Sequence, residues 1–335
     1  MTDYNYVVKL GNTNTIIVKS GDGVILVEPS VVAVDTENNN QVVAVGSNAI
    51  KSAKNSNNIE LLYPIADGVV KNKQYATIML RMFLKQVEFK TLFTKNNVVV
   101  LIPTSLSAQE KNDYVNIAYS CMFTQVTLLP TVYAGMVNME IEEYDARHHL
   151  LCKLGGGVTD VALMSAGSIV NACTIDLGGN TLNNAIKQYI CDSYHVEVPS
   201  EMVEEIKIEL ATLLPNDNRS YSIYGQNNLD GNYGNVVVTS SELRPIFIDY
   251  FTRVAGIISG LLGSCDTVAI SDINKRGVYL FGALGSITGL DRFLSTKLNV
   301  PVYIDVEPES TVINGATALL NNPNLLQSVI GKYNN

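Results

Sequence analysis

Short, β-branched apolar runs open the chain, and residues that favour turns punctuate them. Tyr6-Val7-Val8, Thr15-Ile16-Ile17-Val18, Val24-Ile25-Leu26-Val27 and Val31-Val32-Ala33-Val34 are set off by Gly11-Asn12, Ser20-Gly21-Asp22-Gly23 and Asn38-Asn39-Asn40. This pattern predicts a β-meander over the first 50 residues. A polar stretch at 51–60 leads into Tyr63-Pro64-Ile65-Ala66-Asp67-Gly68. The continuous run Val98-Val99-Val100-Leu101-Ile102 reads as a buried strand, and Ser107 with Glu110 then has the spacing of a capping box. Strand, loop and helix follow one another there.

The pattern restarts halfway. Residues 150–154, 158–164 and 168–175 predict three further strands, followed by a helix in which Leu182, Ile186 and Ile190 recur every fourth residue. A second helix is expected from Ser200, with Met202, Ile206, Leu210 and Leu214 as its apolar stripe. Glu201, Glu204 and Glu205 suit the positive end of its dipole. Residues 215–235, rich in Asn, Asp, Gly and Tyr, predict a long loop or a hairpin. Thr239 with Glu242 forms a second capping box before an apolar helix from about 243 to 262. A strand at 278–281 then meets the small-residue turn Gly282-Ala283-Leu284-Gly285-Ser286 and another helix.

The restart is a repeat. Lys9-Leu10-Gly11-Asn12-Thr13-Asn14-Thr15 and Lys153-Leu154-Gly155-Gly156-Gly157-Val158-Thr159 share one design, a strand that ends in a glycine turn and returns. Glycine permits positive φ and lets backbone N–H groups approach a ligand closely. Two such hairpins, with a third small-residue turn near 282, predict a duplicated pair of α/β domains with a phosphate site in the cleft between them.

Composition narrows the classes. The chain has 335 residues, 47% hydrophobic and 16% charged, enough for two domains or one large α/β unit. Its 23 basic against 32 acidic residues give a net charge of −9, which argues against binding nucleic acid through a basic face. The five cysteines, Cys121, Cys152, Cys173, Cys191 and Cys265, contain no C-x-x-C spacing and indicate neither a disulfide framework nor a zinc site. His148 and His149, beside Arg147 in a charged stretch, are expected to be solvated. The first residues lack a signal pattern and the longest apolar runs are strand length, so a reduced, cytoplasmic, soluble protein is expected.

At this point the chain resembles the actin-like ATPase superfamily, and within it the MreB family of bacterial cell-shape actins. Val27-Glu28-Pro29-Ser30-Val31-Val32-Ala33, then Ala44-Val45-Gly46, and Pro64-Ile65-Ala66-Asp67-Gly68-Val69 are similar to motifs of that family. So are Leu154-Gly155-Gly156-Gly157 with Thr159, Gly178-Gly179-Asn180-Thr181-Leu182, and Glu204-Glu205-Ile206-Lys207-Ile208-Glu209. The resemblance implies an actin-like fold of two related α/β domains around a central nucleotide cleft. Domain I would be 1–141 plus 311–335, with an inserted subdomain about 31–75. Domain II would be 142–310, with one about 182–246. ATP or ADP would meet Gly11, Asn12, Thr13, Asn14, Gly155, Gly156 and Gly157 at its phosphates, and Glu204, Lys207, Gly282 and Ala283 at its nucleoside.

Departures from the family fall where its chemistry should be. The family carries Asp where this chain has Lys9 and Lys153, and those carboxylates organise magnesium; lysine offers donors only, so magnesium is not expected here. The acidic pair that positions water before a proline is replaced by Leu128-Leu129-Pro130, so no catalytic residue is expected at Leu129. Two readings follow: decay of an unused site, or charge replacement. Two ammonium groups about 5 Å apart repel by roughly 3 kcal/mol at an effective dielectric near 20. An anion between them, or pairing with Asp160 or Asp176, removes that cost. The resemblance further implies self-association into filaments, alone or with an active paralogue, and attachment to the inner membrane surface through Leu92 and Phe93, flanked by Lys90 and Lys95. It also implies partnership with the cell-wall synthesis machinery, and a role in cell shape with weakened or absent hydrolysis. A non-polymerising adaptor and a magnesium-dependent ATPase are the alternatives.

Overall fold

The computed structural model describes residues 4–89, 95–229 and 231–334. β1 (Tyr6–Leu10), β2 (Asn14–Lys19) and β3 (Gly23–Pro29) form the expected antiparallel meander. The fourth apolar run leaves it. β4 (Val32–Asp35) pairs with β5 (Gln41–Val45) and, beyond α1 (Ser47–Asn55), with β6 (Ile59–Leu62) in a separate sheet. The reason is two-sided burial. Val31 and Ala33 pack with Ala44 and Ala49, while Val32 and Val34 join the core beneath the first sheet. A strand covered on both faces cannot serve as the open edge of a meander.

β7 (Ile65–Ala66) and β8 (Val69–Val70) pinch the Asp67-Gly68 turn. α2 (Lys73–Gln86) buries Ala76, Met79, Leu80 and Phe83 on one stripe. β9 (Asn97–Ile102) runs parallel to β1. The capping box opens α3 (Ala108–Ser120) as expected: Glu110 N donates to Ser107 Oγ at 3.3 Å, and Ser107 N to Glu110 Oε2 at 2.8 Å. β10 (Gln125–Pro130) lies parallel to β9 and leads into α4 (Thr131–Asn138).

The second half repeats this plan. β11 (His149–Leu154), β12 (Thr159–Ser165) and β13 (Ser168–Ile175) form another antiparallel meander. α5 (Gly179–Tyr194) buries Leu182, Ile186 and Ile190. α6 (Ser200–Leu210) starts after Pro199 instead of being capped by Ser200. It buries Ile206 and Leu210 of the expected stripe together with Val203 and Lys207; Met202 packs partly buried on the same core, and the helix ends before Leu214. The polar stretch after it holds the hairpin of β14 (Ser220–Gln226) and β15 (Tyr233–Thr239). α7 (Ser240–Gly263) is long and apolar enough to cross a membrane by length and composition, yet its Leu243, Phe247, Phe251, Val254 and Ile258 are fully buried in the core. After α8 (Thr267–Arg276), β16 (Val278–Phe281) lies parallel to β11; beyond α9 (Leu290–Leu298), β17 (Val302–Ile304) lies parallel to β16.

The two five-stranded sheets therefore have one topology, β3-β2-β1-β9-β10 and β13-β12-β11-β16-β17. α10 (Thr311–Asn321) and α11 (Pro323–Asn334) close the chain. A core shared by both sheets unites Val7, Val99 and Leu101 with Leu151, Ala162 and Phe281, and α4 and α10 contribute to it. Two glycines permit this packing: a Cβ at Gly315 would lie 1.9 Å from Ala134 O, and one at Gly135 would lie 2.3 Å from the Phe281 ring.

The histidine pair is not solvated. His149 is 5% exposed and its Nε2 lies 2.9 Å from Asp145 Oδ2, while His148 Nδ1 lies 2.9 Å from Asp272 Oδ2. His149 begins β11, an interior strand of its sheet, so tertiary packing overrides its polar neighbours. Burial lowers the His149 pKa, and the Arg147 guanidinium holds the Asp145 carboxyl well below the usual range.

Candidate functional site

Lys9 occupies β1, in register with Ile16 of β2 and Leu101 of β9. Lys153 holds the matching place in β11, in register with Asp160 of β12 and Phe281 of β16. Each strand then closes the same tight turn: Gly11 N donates to Asn14 O at 3.1 Å and Gly155 N to Val158 O at 3.0 Å.

These turn glycines are required for space and not for positive φ, since none of Gly11, Gly155, Gly156 and Gly157 is in that region. A Cβ at Gly11 would stand 2.8 Å from Asn14 O; at Gly156, 2.1 Å from Thr13 Oγ1; and at Gly157, 1.7 Å from Asn12 Nδ2. The two hairpins thus touch across the cleft. Gly282 does have positive φ, 97°, and a Cβ there would meet Leu154 O at 2.4 Å.

Other elements complete the walls. α5 docks its first turn on the second hairpin, with Gly179 N donating to Gly155 O at 3.0 Å and Asn180 N to Gly156 O at 2.7 Å. α6 brings Lys207, whose Nζ lies 2.7 Å from Glu204 Oε2; Asn183 Nδ2 donates to the same oxygen at 2.7 Å. Asn12 Oδ1 accepts from Gly68 N at 3.1 Å, but Asn12 Nδ2 is buried with no partner among the described residues.

Every nucleotide contact expected from the sequence lines this one cleft: Lys9, Gly11, Asn12, Thr13, Asn14, Lys153, Gly155, Gly156, Gly157, Glu204, Lys207, Gly282 and Ala283. Leu129 does not. It is fully buried in the core between the sheets, and Thr131, two residues on, reaches the cleft instead. Leu92 and Phe93 lie outside the described residues. Sequence reasoning missed Gly68, Tyr114 and Glu309 as cleft residues. Gly68 belongs to a quoted motif and could have been found; Glu309 stands in an irregular turn before α10 with no local signal.

Charge is distributed unevenly. Asp160, with no exposed surface, accepts from Thr104 N at 3.1 Å and from the Thr174 hydroxyl, and faces Thr131 Oγ1 at 3.4 Å and Lys153 Nζ at 4.0 Å. Lys9 keeps some contact with the cleft but is crowded on all sides, and it has no carboxylate at ion-pair distance among the described residues. Burial first, and the Lys153 ammonium second, pull its pKa down to about 7. The donor set does not suit magnesium, a hard cation that needs oxygen ligands. The carboxylates lining the cleft, Glu204 and Glu309, are engaged by Lys207 and by Ser286 Oγ at 2.9 Å.

Two sheets of one topology, joined by a shared core and facing each other through paired glycine hairpins, define an actin-like fold. The family model described as MreB/Mbl protein matches residues 4–328, and the chain belongs to that family. It is 28% identical over 317 residues to the cell shape-determining protein Mbl of Bacillus subtilis (strain 168), covering 94% of this chain and 95% of the relative. The crystal structure of MreB5 of Spiroplasma citri bound to ADP is similar at a TM-score of 0.87 and 24% identity, over 94% of this chain and 95% of that one. The MamK double helical filament gives a TM-score of 0.78 at 17% identity, over 95% and 99% of the two chains.

Proposed function

We propose that this protein is a cytoskeletal filament former of the MreB kind that acts in cell shape, and that its cleft holds ATP or ADP without turning it over. The observation that carries the reading is the convergence of both glycine hairpins and both lysines on one cleft in a chain that belongs to the family along almost its whole length. Support for the role comes from the relative named as cell shape-determining, and for filaments and nucleotide from neighbours solved as a filament and with ADP.

Residues 1–141 with 311–335 form one domain in this reading and 142–310 the other. Gly11, Asn12, Thr13, Asn14, Gly155, Gly156 and Gly157 meet the phosphates; Glu204, Lys207, Gly282 and Ala283 meet the nucleoside. Hydrolysis requires a group that orients the attacking water. Leu129, where the family has an acid, is core, and the Thr131 hydroxyl is directed to Asp160, so neither residue serves as that group in this reading. Filaments built from this chain, alone or with an active paralogue, would lie at the inner face of the membrane beside the cell-wall synthesis machinery, with Leu92 and Phe93 as the contact.

Sedimentation and electron microscopy at rising protein concentration test the reading, with lipid vesicles in a parallel arm. Filaments that pellet with nucleotide, release no phosphate, and lose vesicle attachment in Leu92→Ser/Phe93→Ser are expected. A chain that stays monomeric at every concentration would make it an adaptor, and steady phosphate release would make it an ATPase.

A further inference from the structure

The duplicated sheets treat their matched lysines differently. Asp160 stands opposite Lys153 in the ladder, whereas Ile16 stands opposite Lys9. Lys153 therefore has a counter-charge at 4.0 Å, and Lys9 has none among the described residues. Each lysine curls back over its own turn: a Cβ at Gly11 would lie 2.8 Å from Lys9 Nζ, and one at Gly155 would lie 3.5 Å from Lys153 Nζ. Asn12 Nδ2, in the same cleft, is a second donor without an acceptor among the described residues. Buried donors left unmatched are costly, and charged ones more so. The other titratable groups of the cleft make no ion pair with Lys9 among the described residues: Glu204 pairs with Lys207, Glu309 accepts from Ser286 Oγ, Asp160 faces Lys153, and Tyr114 donates its hydroxyl to Gly68 O at 3.0 Å. An anion with several acceptor oxygens would match these donors together.

We infer that the cleft takes the polyphosphate of a nucleotide free of any divalent cation, with the ammonium groups of Lys9 and Lys153 supplying the neutralising charge. The inference rests on the reading that nucleotide occupies this cleft. It carries a proton linkage. Lys9 is partly neutral near pH 7 in the ligand-free protein, and an anion beside it restores its ordinary basicity. Binding then takes up a proton, and affinity falls as pH rises above about 7, by no more than about tenfold per pH unit.

Titration calorimetry with ADP and ATP, in EDTA and in magnesium, tests this. Affinity in EDTA equal to or above that in magnesium is expected, with heats that vary between buffers of different ionisation enthalpy as proton uptake requires. Lys9→Met should weaken binding about tenfold or more and abolish the uptake. Lys9→Asp with Lys153→Asp should lose binding in EDTA and regain it with magnesium. Strictly magnesium-dependent binding by the natural chain overturns the inference and leaves the nucleotide reading standing; no binding in either condition overturns both. Should the double variant not fold, the buffer dependence of the natural chain decides.

Discussion

Lys9 shows how one residue can set the pH behaviour of a fold. Its pKa in the folded chain is about 7, against 10.5 for an ordinary lysine. Between those values the unfolded chain holds a proton that the folded chain does not, so stability rises with pH across that window. Below about 7 the full cost of a crowded ammonium without a carboxylate partner among the described residues is present. Lys9→Met keeps the stem and removes the charge. It should stabilise the protein by about 1–3 kcal/mol near neutral pH and below, with the gain shrinking toward pH 10. Urea unfolding of both chains across pH measures this; a difference that does not change with pH would mean that the ammonium is not what costs. A site that is costly without its ligand is common where function sets the residue.

Among elements, the α4–α10 crossing is tightly constrained. Backbone meets backbone at Ala134 and Gly315, and no side-chain rotation can make room for a methyl group there. Gly315→Ala should destabilise by about 1–3 kcal/mol. Gly331→Ala, in α11 with open space around it, should be neutral or gain about 0.4–1 kcal/mol by restricting the unfolded chain. Thermal unfolding of the pair separates the two, and equal effects would show that the crossing has slack. Capping boxes behaved differently from stripes at this scale. Ser107 with Glu110, and Thr239 with Glu242, were legible because both partners lie within one turn. The face of α6 was legible through Ile206 and Leu210, but its ends were not: the helix stops at Leu210, short of Leu214, and Pro199, not Ser200, precedes its first turn.

For the whole molecule, Asp160 ties the halves together. From β12 in the second sheet it accepts from Thr104 N, just beyond β9 of the first, and faces Thr131 at the start of α4. It also supplies the counter-charge of Lys153. Asp160→Asn keeps the shape and removes the charge, so Lys153 is left buried and unpaired. A loss of about 3–5 kcal/mol is expected in chemical denaturation. A loss under about 1 kcal/mol would show that the shared core alone holds the sheets together. The opposite position in the first sheet is Ile16, so the duplication has one such bridge and not two.

By itself the sequence determined the duplicated strand–turn–strand plan and the capped helices, which follow from alternation, from turn chemistry and from spacing within a few residues. The glycine hairpins belong to that plan, whereas Glu204, Lys207, Gly282 and Ala283 were joined to them only by the family resemblance. Tertiary structure decided the rest. It withdrew the fourth apolar run from the meander, buried His149, turned Leu129 into core, and made the hairpin glycines a matter of contact between loops instead of φ. It also decided which lysine is compensated. Asp160 opposite Lys153 can be read from hairpin register, but the lack of a carboxylate at ion-pair distance from Lys9, among the described residues, depends on segments such as β9, α6 and the turn before α10. Burial and charge are sums over everything that packs nearby, and local pattern carries no record of those distant neighbours.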